Sequence, residues 1–396
     1  MKVAFVTPWF GEFAGGAERE ARFTAQHLKQ AGLDVEILTT CCRTPFESWW
    51  KDSFKPGNYQ IDNLLVRRFR VNKGNEEEYH RLNYKIINKI KLSREEELNY
   101  SKNSINSDEL INFIIDNKAE YTFVLIPYFY GLIYWAFKAA PERCLSIPCL
   151  HDEPQAYFST TGELLDNCFV LFNAPEEMEL ASRILGKKIN NYEIIGTGVT
   201  RPESLNGDDF KDKYRIHDDY ILYIGRKDKG KNLHVLIDYF IQYLENTKDN
   251  LKLVLVGGGD DSIVPSNSNI IDLGLLDEQD KYNAYAGAFA TCNLSENESF
   301  SLVIMESWLA STPVIVSALC PVTRGHCKKS NAGLFVADQD EFIESLIFLR
   351  ENEAINRKMG IKGKSYVLTN YSWDVVTSRI MKIIKEKETA LNENID

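Results

Sequence analysis

A short β-rich run that ends near glycine and hands over to a helical repeat occurs twice in this chain, and it constrains the fold more than any other feature. In the first case residues 2–7 (KVAFVT) read as a strand and Gly11, Gly15 and Gly16 punctuate a loop. Residues 17–30 then repeat apolar side chains at helical spacing, Gly32 stops them, and residues 35–39 form the next strand. In the second case residues 220–224 (YILYI) run into Gly225 and then into a helical repeat at 233–244. Strand, crossover helix and strand together predict parallel pairing with helices on both faces of a sheet. Further candidate strands lie at 64–71, 122–126, 146–150, 168–172 and 192–195, and again at 251–256, 270–273, 290–293 and 313–317. The expected fold class is α/β, in two doubly wound halves.

Length agrees with that division, because 396 residues are too many for one hydrophobic core. The expected bounds are a first domain at 1–199 and a second at 200–371. A final amphipathic helix from 372 carries Val375, Val376, Ile380, Ile383 and Ile384 on one face, and residues 388–396 read as frayed. Residues 201–219, polar and interrupted by Pro202 and Gly207, read as a linker.

A net charge of −11 argues against a protein that holds nucleic acid through a general basic field. The eight cysteines include no C-x-x-C pair and read as buried thiols in a reducing compartment, with Cys320, His326 and Cys327 as a weak candidate for zinc. The first strand starts at once, with no cleavable leader expected before it. The longest uncharged run, 121–137, is short for a membrane span and is broken by Pro127 and Gly131. Residues 81–91 (RLNYKIINKIK) are basic and amphipathic. They suit a helix packed on the first domain, with contact to an anionic membrane surface as the second reading.

The segment Gly225-Arg-Lys-Asp-Lys-Gly-Lys231 follows a strand and precedes a helix, so it offers cations and backbone amides to an anion such as phosphate. It approaches the P-loop spacing, but Asn232 stands where the metal-binding hydroxyl belongs and the loop is bulky and charged. The strand at 251–256 ends in Gly257, Gly258 and Gly259, which allow close backbone approach to a ligand or simply a tight turn.

Glu298 falls between the strand at 290–293 and an apolar helix expected from 301, so backbone amides at Ser299, Phe300, Ser301, Leu302 and Val303 face an anion. Glu306 lies about five residues into that helix, a rise of roughly 8 Å. That separation matches the reach from a diphosphate to a nucleotide's ribose, which would divide the tasks of the two carboxylates. Singly, each also suits a plainer role: a solvated loop acid for Glu298 and a helix-dipole acid for Glu306.

The Glu-x7-Glu spacing followed by Ser307-Trp-Leu-Ala-Ser-Thr-Pro-Val-Ile315 resembles the retaining nucleotide-sugar glycosyltransferases of family 4, and residues 147–154 (IPCLHDEP) resemble those that build bacterial surface polysaccharides. Gly15-Gly16-Ala-Glu18, His151-Asp152, Gly196-Thr-Gly-Val199, Arg226 with Lys231, and Trp373 extend the resemblance over nearly the whole chain. It implies a GT-B fold, two Rossmann-like domains facing a central cleft, with the last helix crossing back to the first domain. It also implies roles for particular residues. Arg226 and Lys231 would neutralise the leaving diphosphate, with Gly225 and Gly257 beside them. Glu298 would bind donor-sugar hydroxyls, the amides at 299–303 the phosphate, and Glu306 the ribose. Gly15 and Gly16 would admit the diphosphate and acceptor, and His151 would contact the donor sugar, with Asp152 and Glu153 weaker candidates.

The resemblance implies no metal or other cofactor. It implies a GDP- or UDP-linked donor with GDP-mannose weighed first, a saccharide or lipid-linked saccharide acceptor, and a cytoplasmic setting at the inner face of the membrane. A nucleotide-sugar epimerase on the same fold, a P-loop NTPase and a silent sugar-binding module are the alternatives. Two departures stand out: Ser299 and Ser301 replace glycines common in the family, and residues 73–106 have no general counterpart, which makes them candidates for acceptor specificity.

Overall fold

The computed structural model describes residues 2–11 and 15–393. They form two compact units, one from residues 1–198 and 373–396 and the other from residues 199–372.

The first unit begins with β1 (Lys2–Thr7), α1 (Gly16–Gln30), β2 (Asp34–Thr40), β3 (Gly57–Ile61) and β4 (Leu64–Phe69). Then follow α2 (Glu76–Ile87), α3 (Arg94–Asn103), α4 (Asp108–Asn117), β5 (Tyr121–Leu125), α5 (Gly131–Ala139) and β6 (Cys144–Ser146). It continues with α6 (Ser159–Asn167), β7 (Phe169–Phe172), α7 (Pro175–Leu185) and β8 (Tyr192–Ile194). The eight strands lie in the order β3-β4-β2-β1-β5-β6-β7-β8, all parallel except β3 against β4. Strand order reverses between β1 and β5, the switch point where doubly wound sheets place ligands beyond their carboxyl ends.

The second unit runs α8 (Gly207–Tyr214), β9 (Tyr220–Ile224), α9 (Leu233–Thr247), β10 (Lys252–Val256), β11 (Ile270–Asp272), α10 (Glu278–Gly287), β12 (Ala290–Asn293) and α11 (Leu302–Leu309). It ends with β13 (Val314–Ser317), α12 (Pro321–Ser330), β14 (Gly333–Val336), α13 (Gln339–Glu351) and α14 (Glu353–Asn370). Its six parallel strands have the order β11-β10-β9-β12-β13-β14, with the switch point between β9 and β12. Helix α15 (Trp373–Glu393) then belongs to the first unit, where Val376, Ile380, Ile383 and Ile384 are buried with the apolar side chains of β1, β2 and α1. Val375 is only half-buried.

Several expectations are corrected. The strand expected at 146–150 is Cys144–Ser146, because Pro148 has no N–H to give to a ladder and Cys149 sits at φ +51. The hairpin β3–β4 was not foreseen; it turns through Asp62 and Asn63, both at positive φ, residue types that tolerate that conformation. The expected linker contains α8, with Asn206 as N-cap and Phe210 buried. The end expected to fray is helical as far as Glu393, and residues 394–396 lie outside the described residues. Within 81–91, Leu82 and Ile86 pack with Tyr79, Tyr100 and Phe158, while Tyr84, Ile87 and Ile90 are exposed. Among the described residues no helix is long and apolar enough to cross a membrane.

Candidate functional site

The carboxyl ends of β9 and β12 flank the switch point of the second sheet, and each feeds a loop that carries expected site residues. After β9 the chain is drawn against the turn that follows β10. Gly225 N donates to Val256 O at 3.0 Å, Lys227 N to Gly258 O at 2.9 Å, and Asp260 N to Lys227 O at 2.8 Å. Gly257, at φ +135, makes that contact feasible, since a Cβ there would lie 2.0 Å from the Gly225 carbonyl oxygen. The close approach expected at Gly257 is therefore taken by the neighbouring loop. Lys227 is the bolt beneath it, 2% exposed and paired with Asp272 at 2.7 Å and with Asp261. Burial pulls the Lys227 ammonium down, and the two aspartates outweigh that and leave it raised.

On this platform the two expected cations have carboxylate partners. Lys231 Nζ lies 2.7 Å from Glu298 Oε1, so residues 67 positions apart meet across the switch point. Arg226, more exposed, pairs through Nε with Asp228. Asp228 also accepts the Lys231 backbone N–H at 2.9 Å, which ties both cations to one short turn. Asn232 gives its side-chain amide to Leu294 O and Glu296, each at 3.1 Å, and so fastens the β9 loop to the β12 loop.

Beyond Glu298, the Phe300 ring is buried and packs edge-on against His326 and Tyr371, at 5.3 and 4.9 Å between centroids. With that ring anchored inward, Phe300 can serve a ligand through its backbone. The helix expected from 301 starts at Leu302, because Ser301 takes φ +71, where its Oγ accepts from Asn293 Nδ2 at 3.1 Å. Ser301 makes no side-chain cap bond to the start of α11, whose first turn includes the amide of Val303.

Glu306 is 3% exposed, and it was expected to reach ribose hydroxyls. Lys281 Nζ stands 2.9 Å from its Oε1, and Tyr285 donates to Oε2 at 3.2 Å. A hydroxyl arriving there would join bonds already in place. Sequence reasoning missed Lys281 and Tyr285 altogether. Residues 280–285 of α10 are all buried, so no amphipathic period singled them out.

In the first unit, His151 follows the short β6 and is half-buried. Its neighbours hold the turn rather than an open site: Asp152 accepts from Tyr157 at 2.7 Å and Arg183 at 2.5 Å, and Glu153 from Tyr128 at 2.7 Å. Gly15 is the N-cap of α1 and Gly16 its first residue. Among the described residues a Cβ on Gly16 would meet nothing within 4 Å, so no packing need accounts for the glycine. Cys320, His326 and Cys327 do not form a metal cluster; among the described residues there is no group of three potential ligands. His326 Nδ1 instead bonds Tyr366 OH at 2.9 Å, and burial presses its pKa down to about 3, so the ring stays neutral.

Residues 208–366 match the family described as glycosyl transferases group 1. A phosphatidyl-myo-inositol mannosyltransferase of Mycobacterium leprae is 29% identical over 180 residues, 43% of this chain and 47% of that one. The chain spans about half the length of the curated relatives it matches. Among solved structures, sucrose-phosphate synthase from Thermosynechococcus elongatus superposes with a TM-score of 0.71 at 17% identity, over 98% of this chain and 99% of that one. Anabaena HepE in complex with UDP and glucose gives 0.70 at 14% identity, over 97% and 99%. Two parallel-rich α/β units and structural neighbours matched from end to end agree on the GT-B fold, and within it residues 208–366 are similar to the group 1 glycosyl transferases.

Proposed function

We propose that the protein moves a glycosyl group from a nucleotide-diphosphate sugar to a saccharide or lipid-linked saccharide acceptor, with retention of configuration. The observation that carries this reading is the meeting of Lys231 and Glu298 at the β9–β12 switch point, beside Arg226 and the start of α11. Those groups offer a diphosphate two cations and a set of backbone amides, and a sugar hydroxyl one carboxylate. Donor phosphates would compete with Asp228 and Glu298 for the two cations. That exchange gives Glu298 over to the sugar at the moment the diphosphate is held.

As the bond from the anomeric carbon to the diphosphate oxygen breaks, Arg226 and Lys231 balance the charge that develops there. The acceptor hydroxyl forms the new bond from the same face, and its proton passes to a departing phosphate oxygen. Glu306 would bind the ribose, and His151 the donor sugar. On this reading the two side-chain cations perform the electrostatic task that a metal ion performs elsewhere. Mannose is the sugar we favour, since a curated relative is named a mannosyltransferase, and the setting is the assembly of bacterial surface polysaccharide at the inner face of the membrane. Tyr84, Ile87 and Ile90, exposed beside Lys85, Lys89 and Lys91, supply an apolar and basic contact for that surface. Sedimentation with phosphatidylglycerol vesicles should carry the protein down, and Ile87→Ser with Ile90→Ser should leave it in solution. Equal recovery of both proteins in the pellet would sink the membrane contact.

Labelled nucleotide sugars, offered with and without EDTA and with saccharide acceptors, test the reaction. Transfer that persists in EDTA is expected, with turnover lower by about 100-fold or more in Arg226→Ala and Lys231→Ala. Undiminished donor binding and turnover in both variants would refute the site. Free sugar released without an acceptor would indicate an epimerase, and magnesium-dependent ATP hydrolysis a P-loop enzyme.

A further inference from the structure

The turn that carries His151 is fastened from behind by a buried carboxylate on a different element. Glu177 lies in the first turn of α7 and is 1% exposed. Its Oε2 accepts the backbone N–H of Asn173, the residue before the N-cap Ala174, at 2.6 Å, which ties the start of its own helix to the chain that enters it. Its Oε1 accepts the backbone N–H of Leu150, also at 2.6 Å. Leu150 is the residue before His151, and Cys149 before it is held at φ +51. A turn with a non-glycine residue in the left-handed region persists only where its surroundings over-determine it. Here Cys149 Sγ donates to Glu20 Oε2 at 3.4 Å, and Asn173 Nδ2 donates to the same oxygen at 3.0 Å. Glu20, on α1, is 5% exposed. Helices α1 and α7 thus reach the two residues that precede His151, Glu20 holding the Cys149 thiol and Glu177 the Leu150 backbone N–H.

We propose that Glu177 is a positioning residue for the donor-sugar contact of His151: it fixes the Leu150 N–H and thereby the direction in which His151 leaves the β6 turn. The inference rests on the reading of His151 given above and extends it to a residue that touches no substrate. Glutamine at 177 is the informative change, because its amide oxygen can accept one N–H while its NH2 opposes the other, and two donors then face each other. The turn shifts, and with it the imidazole.

Turnover of Glu177→Gln, His151→Ala and the double variant separates the cases. If Glu177 acts through His151, Glu177→Gln lowers kcat by about 100-fold, with KM changed far less, and the double variant is no slower than His151→Ala alone. Losses that multiply in the double variant, or a wild-type kcat in Glu177→Gln, would overturn the proposal. A wild-type kcat in His151→Ala would remove the functional reading of His151, and the positioning role with it. Hydrogen exchange at the Leu150 amide of the unmodified full-length protein needs neither substrate nor variant. Strong protection in this loop is expected, and exchange at an unprotected rate would overturn the fastening itself even if Glu177→Gln fails to fold.

Discussion

Glu306 and Glu177 each lie in a helix that follows a strand of their own unit, Glu177 in its first turn and Glu306 past it, and each is almost wholly buried. Their charges are answered in opposite ways. Glu306 has an ammonium 2.9 Å away and a phenol on its other oxygen. Glu177 has two backbone N–H groups, and its acidic neighbour Glu20 is bonded to a thiol and an amide. Burial is the largest influence on both acids of the first unit and pushes them up, Glu177 to about 8 and Glu20 to about 7, with their mutual repulsion adding to the rise at Glu177. An ammonium beside a buried carboxylate favours its charged form, whereas burial of two acids without one favours the protonated form. The second unit therefore has an ion pair beside its candidate donor site, and the first has a turn whose support changes with pH.

The largest way to break the comparison is to remove the cation. Lys281→Met leaves Glu306 buried without its ammonium, which should cost about 3–5 kcal/mol of stability, while Lys281→Met with Glu306→Leu should recover most of that loss. Urea unfolding followed near pH 7 measures both. A loss below about 1 kcal/mol in the single variant would mean that Glu306 does not depend on Lys281, and the contrast with Glu177 would fall.

The contrast also marks what was legible in the sequence. Both doubly wound halves could be read because strand runs and glycine stops are local signals, and the chain needs no distant partner to show them. Arg226, Lys231 and Glu298 could be singled out because each lies just past a strand. Their pairing could not, nor could Asp228 as partner to both cations, because a salt bridge across 67 positions leaves no trace in spacing. Ser301 was a visible departure from glycine, yet only the backbone shows that it takes the left-handed conformation a glycine would have taken at lower cost. Lys281 and Glu177 were invisible for a shared reason. Each is a charged residue inside a helix whose buried face is set by tertiary contact, and an acid in a first helical turn reads as a dipole partner whether it is solvated or buried.

The smaller test concerns pH and sharpens the first unit's side of the comparison. A carboxyl group raised in the folded state binds its proton more tightly there than in the unfolded chain, so the fold is stabilised below the ordinary carboxylate range and loses that stability as pH rises. For Glu20 the loss runs from about 4.5 to about 7, and for Glu177 from about 4.5 to about 8. Each contributes a slope of roughly 1 kcal/mol per pH unit inside its window. Glu20→Gln keeps a neutral side chain of the same shape beside Cys149 and Asn173, and it removes both its own titration and the repulsion on Glu177. Near pH 5 the variant should match the parent in stability, since Glu20 is protonated there in any case. By pH 8 it should be the more stable of the two, because the parent then holds two buried negative charges and the variant one. Thermal unfolding of both proteins from pH 5 to 8.5 reads the divergence. Parallel curves would show that Glu20 titrates as an ordinary surface acid, and the pair would then lose its claim to differ from Glu306 and Lys281.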